Sequence, residues 1–229
     1  RSFAYEGRGR TSHQNSNQNP GRHYMPRSFK ETKWLKILLG TAGAWFFLDV
    51  AFYGNILSFY FLIKALAWPL TLVQKVICST LLFAVFALPG YLLAARWVDV
   101  IGRRFMQSLG FVVLAIMYML LAYLPAITTY FWLFVVCYGF SLFFINFGPN
   151  ATTFLLAAES FPTSIRARGH GYSVAIGKLG AFLGVFALPV LGRAYGIDVV
   201  FFLLAVASVG GLLCTHLLPE MADQSLDSL

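Results

Sequence analysis

Long apolar runs separated by short polar breaks fill most of the chain, and the runs set the architecture. Six of them, at about 37–63, 73–95, 105–124, 129–157, 170–192 and 197–218, are each long enough to cross a bilayer, since a spanning helix needs roughly 20 apolar residues. None alternates polar and apolar positions as a lumen-lining strand would. The pattern predicts an all-α polytopic membrane protein with six transmembrane helices. The segment before the first run differs. Residues 1–32 are rich in Ser, Asn, Gln, Gly and Arg, lack the apolar content to fold, and are expected to be a disordered cytoplasmic linker or tail. The membrane domain is expected at 33–220, with a short cytoplasmic tail at 221–229.

Composition and charge sharpen this picture. The chain is 59% hydrophobic and 11% charged, against about 25% charged in a soluble domain. The net charge of +8 is unevenly distributed. Arg1, Arg8, Arg10, Arg22, Arg27, Lys30, Lys33 and Lys36 precede the first span. Arg96, Arg103 and Arg104 fall between the second and third, and Arg166 and Arg168 between the fourth and fifth. The opposite side receives only Lys64, Lys75 and Arg193. This asymmetry predicts both termini in the cytoplasm and makes the basic excess topological, without a nucleic-acid partner. Lys33, Trp34 and Lys36 read as an interfacial anchor. Cys78, Cys137 and Cys214 lie inside apolar spans without metal-ligand spacing. With no nucleophile–base pair and no nucleotide loop, the sequence predicts a protein that is not an enzyme and has neither metal nor cofactor. It begins at Arg1 and is expected to be a fragment of a longer chain.

Polar groups inside the spans are the candidate chemistry. Asp49 lies near the middle of the first run, where an ionisable side chain costs roughly 2.5–3.5 kcal/mol. Trp45, Asp49 and Tyr53 fall at i, i+4 and i+8, which stacks an indole donor, a titratable acceptor and a phenol on one helix face. The fourth span carries Asn146-Phe147-Gly148-Pro149-Asn150. Asn146 and Asn150 share a face, and Pro149 breaks the backbone ladder. The amides either line a cavity or tie helices together. Lys178, in Gly177-Lys178-Leu179-Gly180, either snorkels to the interface or faces a cavity, where it meets an anion or Asp49. Gly180 and Gly184 allow close helix packing. His170 lies at the membrane edge with no partner legible in the sequence.

Two cytoplasmic links complete the reading. Asp99, Gly102, Arg103 and Arg104 form either a latch, with Asp99 accepting from basic residues and Gly102 allowing a tight turn, or a basic loop that only sets topology. In the second link Glu159 is positioned to pair with Arg166 or Arg168.

The stretch from Gly90 to Arg104 resembles the cytoplasmic loop motif of the major facilitator superfamily. Gly43 to Asn55, Asn146-Phe147-Gly148-Pro149-Asn150, Glu159-Ser160-Phe161-Pro162-Thr163, Gly169-His170-Gly171 and Gly177-Lys178 together resemble the C-terminal half of its phosphate:proton symporters. Ala157 stands where many relatives have Pro, and Ser164 where many have Arg. The resemblance implies two six-helix halves around a cavity, and alternating access driven by protons. It implies phosphate contacts at Trp45, Asp49, Tyr53, Asn150 and Lys178, with Asn146 a weaker candidate. It also implies proton coupling at Asp49 and a gate formed by the links. The partners implied are inorganic phosphate, protons, the lipid bilayer and a missing N-terminal six-helix half, and the membrane implied is the plasma membrane. A sugar or organic-ion carrier of the same superfamily, or a non-transporting sensor or partner module, are the alternatives.

Overall fold

The computed structural model describes residues 32–65, 71–123 and 131–219. The expected linker up to residue 31, residues 66–70 and 124–130 between spans, and the tail from residue 220 lie outside those residues. Six of the described helical segments are long and apolar enough to cross a membrane. The first span is α1 (Thr32–Ala65). The second is α2 (Leu72–Leu82), a π-helical turn at Phe83–Ala87, and α3 (Leu88–Ile101). The third is α4 (Arg103–Tyr123), and the fourth is α5 (Phe131–Phe147) followed by α6 (Pro149–Glu159). The fifth and sixth are α7 (Arg166–Tyr195) and α8 (Ile197–Thr215).

Local sequence explains the joints. Thr71 caps α2: its hydroxyl accepts from the Gln74 amide at 3.3 Å, and the Gln74 side chain accepts from the Thr71 amide at 2.9 Å, a reciprocal capping box. A proline inside a span, as at Pro89, ordinarily loosens the helix where it sits. The helix instead continues to Ile101, and the irregularity lies upstream, where the Leu88 amide reaches back to the Phe83 carbonyl. Proline supplies no donor for the carbonyl one turn earlier, and a wider i→i−5 turn absorbs the mismatch. The segment from Gly90 to Ile101, including Asp99, is therefore helical. The turn itself is made at Gly102 (φ 93°), a backbone angle that glycine adopts without strain.

Packing centres on α1, which lies chiefly against α7 and α8, while α4 packs on α8, α5 and α6. Leu48, Ala51, Phe111, Leu114, Tyr118, Tyr138, Leu142, Phe201 and Leu204 form the main apolar core. A smaller cluster of Trp34, Ile37, Leu156, Phe161, Ile165 and Leu218 closes the end where α1 begins. Trp34 is thus buried inside the bundle, whereas Lys33 and Lys36 are exposed as an interfacial anchor requires. The second span is the least enclosed: α2 buries no residue. Leu179, Phe182, Phe186 and Val190 leave one side of α7 similarly open.

Candidate functional site

The site begins at the seam between α1 and α7. Trp45, Asp49 and Tyr53 recur every fourth residue and share a side of α1. The helix they meet is made narrow by glycine. A Cβ on Gly177 would lie 2.5 Å from Trp45 Cδ1, one on Gly180 would enter the Phe46 carbonyl, and one on Gly184 would lie 3.2 Å from Tyr53 Cβ. The contacts advance together along both helices, so α1 and α7 run parallel. Thr41 and Ser173 share a hydrogen bond of 2.8 Å two turns before Asp49.

This close approach pairs the two ionisable groups. Lys178 Nζ donates to Asp49 Oδ2 at 3.2 Å. The Asp49 side chain is 8% exposed and that of Lys178 is 56% exposed. The carboxylate is therefore anchored in the bundle, while the ammonium is the open end of the pair and can exchange partners. A buried charge is tolerated only when paired in this way.

Trp45 is fully enclosed. Its ring meets Phe154 edge-on at 4.5 Å and His170 at 5.5 Å. His170, without a partner legible in the sequence, thus packs against the candidate site, although its Nδ1 has no hydrogen-bond partner. Tyr53 is half-buried beside the same seam, its ring edge-on to Phe52.

A second polar group gathers at the break in the fourth span. Gly148 (φ −106°, ψ −102°) interrupts the helix, and Pro149 opens α6. Asn150 Nδ2 donates to Asn146 Oδ1 at 2.9 Å and also to the Tyr91 hydroxyl. Asn146 in turn donates to the Leu142 carbonyl at 2.7 Å. Tyr91 reaches Asn150 because Gly90 lets α3 approach α5, where a Cβ would lie 2.6 Å from the Phe143 carbonyl oxygen.

The structure thus joins Asp49 to Lys178, sets Trp45 and Tyr53 on the same seam, and joins Asn146 to Asn150. The two groups meet through the Trp45–Phe154 ring contact, Phe154 being one turn after Asn150. Tyr91 and Phe154 were not singled out from sequence. Tyr91 is a phenol just after Pro89-Gly90 in an apolar run, and that was the available signal. Phe154 gave no signal beyond its i+4 spacing from Asn150.

At the links after the second and fourth spans Arg103 is the hub. It contacts Asp99 at 2.5 Å and, through Nε and Nη2, Glu159 at 3.1 and 3.4 Å. The forked guanidinium suits this double contact. The expectation that Glu159 pairs with Arg166 or Arg168 is corrected here. Arg166 opens α7 and turns back to donate to the Phe161 carbonyl at 3.1 Å, and Arg168 is exposed. Arg104 donates to the His216 carbonyl at 3.2 Å, tying the same turn to the end of α8.

The model of the sugar (and other) transporter family matches residues 22–229. The chain is 36% identical over 208 residues to the probable inorganic phosphate transporter 1-6 of Arabidopsis thaliana, covering 84% of this chain and 40% of that protein. It is 39% identical over 211 residues to the putative inorganic phosphate transporter 1-13 of Oryza sativa subsp. japonica, again covering 84% and 40%. It is 33% identical over 228 residues to the inorganic phosphate transporter PHO84 of Saccharomyces cerevisiae, covering 89% and 37%. The chain therefore spans about two-fifths of the length of these relatives.

Proposed function

The chain belongs to the sugar (and other) transporter family, and from that membership we propose that it supplies the C-terminal half of a proton-coupled inorganic phosphate transporter. The observation that carries this reading is the Asp49–Lys178 pair, at 3.2 Å with only its cationic end open. Phosphate and the Asp49 carboxylate compete for one ammonium. While Asp49 is ionised it holds Lys178 and repels an anion. Once protonated it releases Lys178 and becomes a donor to a phosphate oxygen, so that proton and phosphate bind together. Trp45, Tyr53 and Asn150 supply further neutral donors, with Asn146 orienting Asn150. Phosphate transporters among the relatives support the choice of anion.

A second six-helix half completes the cavity and covers the open sides of α2, α3 and α7. The two halves rock about the substrate in alternating access, and the ties of Arg103 to Asp99 and Glu159 break and re-form at the inner gate. The protein lies in the plasma membrane with both termini cytoplasmic. Residues 1–32 are a cytoplasmic linker and 221–229 a tail flanking the membrane domain at 33–220. The test is uptake of radiolabelled phosphate into liposomes by the full-length protein that carries this chain. A proton gradient should drive accumulation, and excess sulfate or glucose should not block it. Block by glucose selects a sugar carrier; phosphate binding without uptake selects a sensor module.

A further inference from the structure

We propose that Gln107, which belongs to none of the motifs above, is the positioning residue that fixes the rotation of α6 and thereby the placement of Asn150; this rests on the functional reading just given. Gln107 is fully buried on α4. Its Oε1 accepts from Thr152 Oγ1 at 2.9 Å and from Thr153 Oγ1 at 3.1 Å, and its Nε2 donates to Thr215 Oγ1 at 2.9 Å. One amide thus ties α4, α6 and α8 together inside the bundle, about one helical turn from Arg103 and beside the end of α8.

The need for such a tie comes from the break before α6. Pro149 has no amide hydrogen, so the usual ladder does not carry the direction of α5 into α6. The bonds across the joint are local: Gly148 donates to the Phe144 carbonyl, and Ala151 and Thr152 donate to the Gly148 carbonyl. Lateral contacts must set the orientation, and α4 provides them in a stripe. Arg103 holds Glu159 at one end. Gly110 gives way to Pro149 at the other, and the Met106 carbonyl faces Gly148. Gln107 lies between.

Its contact is selective for rotation in a way that apolar packing is not. Consecutive residues of a helix point about 100° apart. Thr152 and Thr153 therefore reach the same oxygen only in a narrow range of α6 rotations. Asn150 precedes them by two and three residues in the same rigid segment, so its azimuth follows. Thr152 and Thr215 also lie within 2.9 and 2.8 Å of the Gly148 and Gly211 carbonyls, so loss of Gln107 leaves both with an acceptor. Removing the amide should thus loosen orientation while leaving, of the three hydroxyls, only that of Thr153 without its acceptor.

The test uses the full-length protein in liposomes. Gln107→Met, and Thr152→Val combined with Thr153→Val, should each raise the phosphate KM about tenfold while kcat stays within about twofold. Combining them should add little, because both cut the same tie. Thr215→Val, which spares the α6 contacts, should leave KM near wild type. A fall in thermal stability with KM unchanged in Gln107→Met overturns the proposal and leaves a packing role only. A second reading needs no transport. With Cys78, Cys137 and Cys214 replaced, Asn150→Cys reports the orientation of α6 through its rate of thiol alkylation. Gln107→Met should change that rate several-fold, and an unchanged rate overturns the proposal. Failure of the wild-type protein to take up phosphate refutes the functional reading alone.

Discussion

Gly180→Ala is expected to destabilise the bundle, although alanine normally favours a helix interior over glycine by about 0.5–1 kcal/mol. The reason is the α1–α7 seam. An added Cβ at Gly180 would lie 2.9 Å from the Phe46 carbonyl carbon and 3.0 Å from its Cα, and closer still to the carbonyl oxygen. These are backbone atoms and cannot rotate away. Carbon contacts are comfortable from about 3.5 Å, so the helices must part by roughly half an ångström or more. Overpacking of this kind costs about 1–3 kcal/mol, which outweighs the propensity gain. The same parting would stretch the Asp49–Lys178 contact from 3.2 Å toward the limit of a hydrogen bond. Gly171→Ala is the control, since it lies on the same helix with nothing within 4 Å of the added carbon. Thermal unfolding of the purified full-length protein in detergent, together with phosphate uptake, is the assay. Gly180→Ala should melt several degrees lower and transport poorly, while Gly171→Ala should match or exceed wild type. A Gly180→Ala protein as stable as the Gly171→Ala control refutes the close seam.

Asp49→Asn should abolish proton-driven phosphate accumulation while membrane insertion, read by surface expression, stays intact; normal accumulation removes Asp49 from the mechanism. Lys178→Ala should raise the apparent KM for phosphate about tenfold or more, as loss of a charge-assisted contact does, and an unchanged KM leaves Lys178 a snorkelling residue. Glu159→Arg should lower the uptake rate, and Arg103→Glu added to it should restore part of the loss, whereas Arg166→Glu should not. Equal rescue by either partner contradicts the assignment of Arg103 as the hub.

Much of the fold was legible because bilayer-length apolar runs admit few alternatives. The Trp45, Asp49 and Tyr53 face and the Asn146–Asn150 pair could be read from helical spacing alone. Three features could not. The π-helical turn at Phe83–Ala87 lies upstream of the proline that accounts for it, and nothing in the run itself marks it. Glu159 pairs with Arg103, 56 residues away, while Arg166, nearer in sequence, turns back on its own loop. Gln107 looks like a single polar residue in an apolar helix, and its role appears only when Thr152, Thr153 and Thr215 converge on it. The Asp49–Lys178 contact is intermediate: both residues stood out as costly in lipid, but the glycines of α7 that let them meet carry no sign of which helix they face.

Phosphate binding to the purified full-length protein as a function of pH, in wild type and in Asp49→Asn, tests the central claim most directly. Raising the pH, which also titrates phosphate itself, should weaken binding more steeply in wild type. There Asp49 can lose its proton, repel the anion and reclaim Lys178. The asparagine keeps a donor and cannot gain charge, so its binding should follow the phosphate titration alone. Superimposable curves for the two proteins contradict the account.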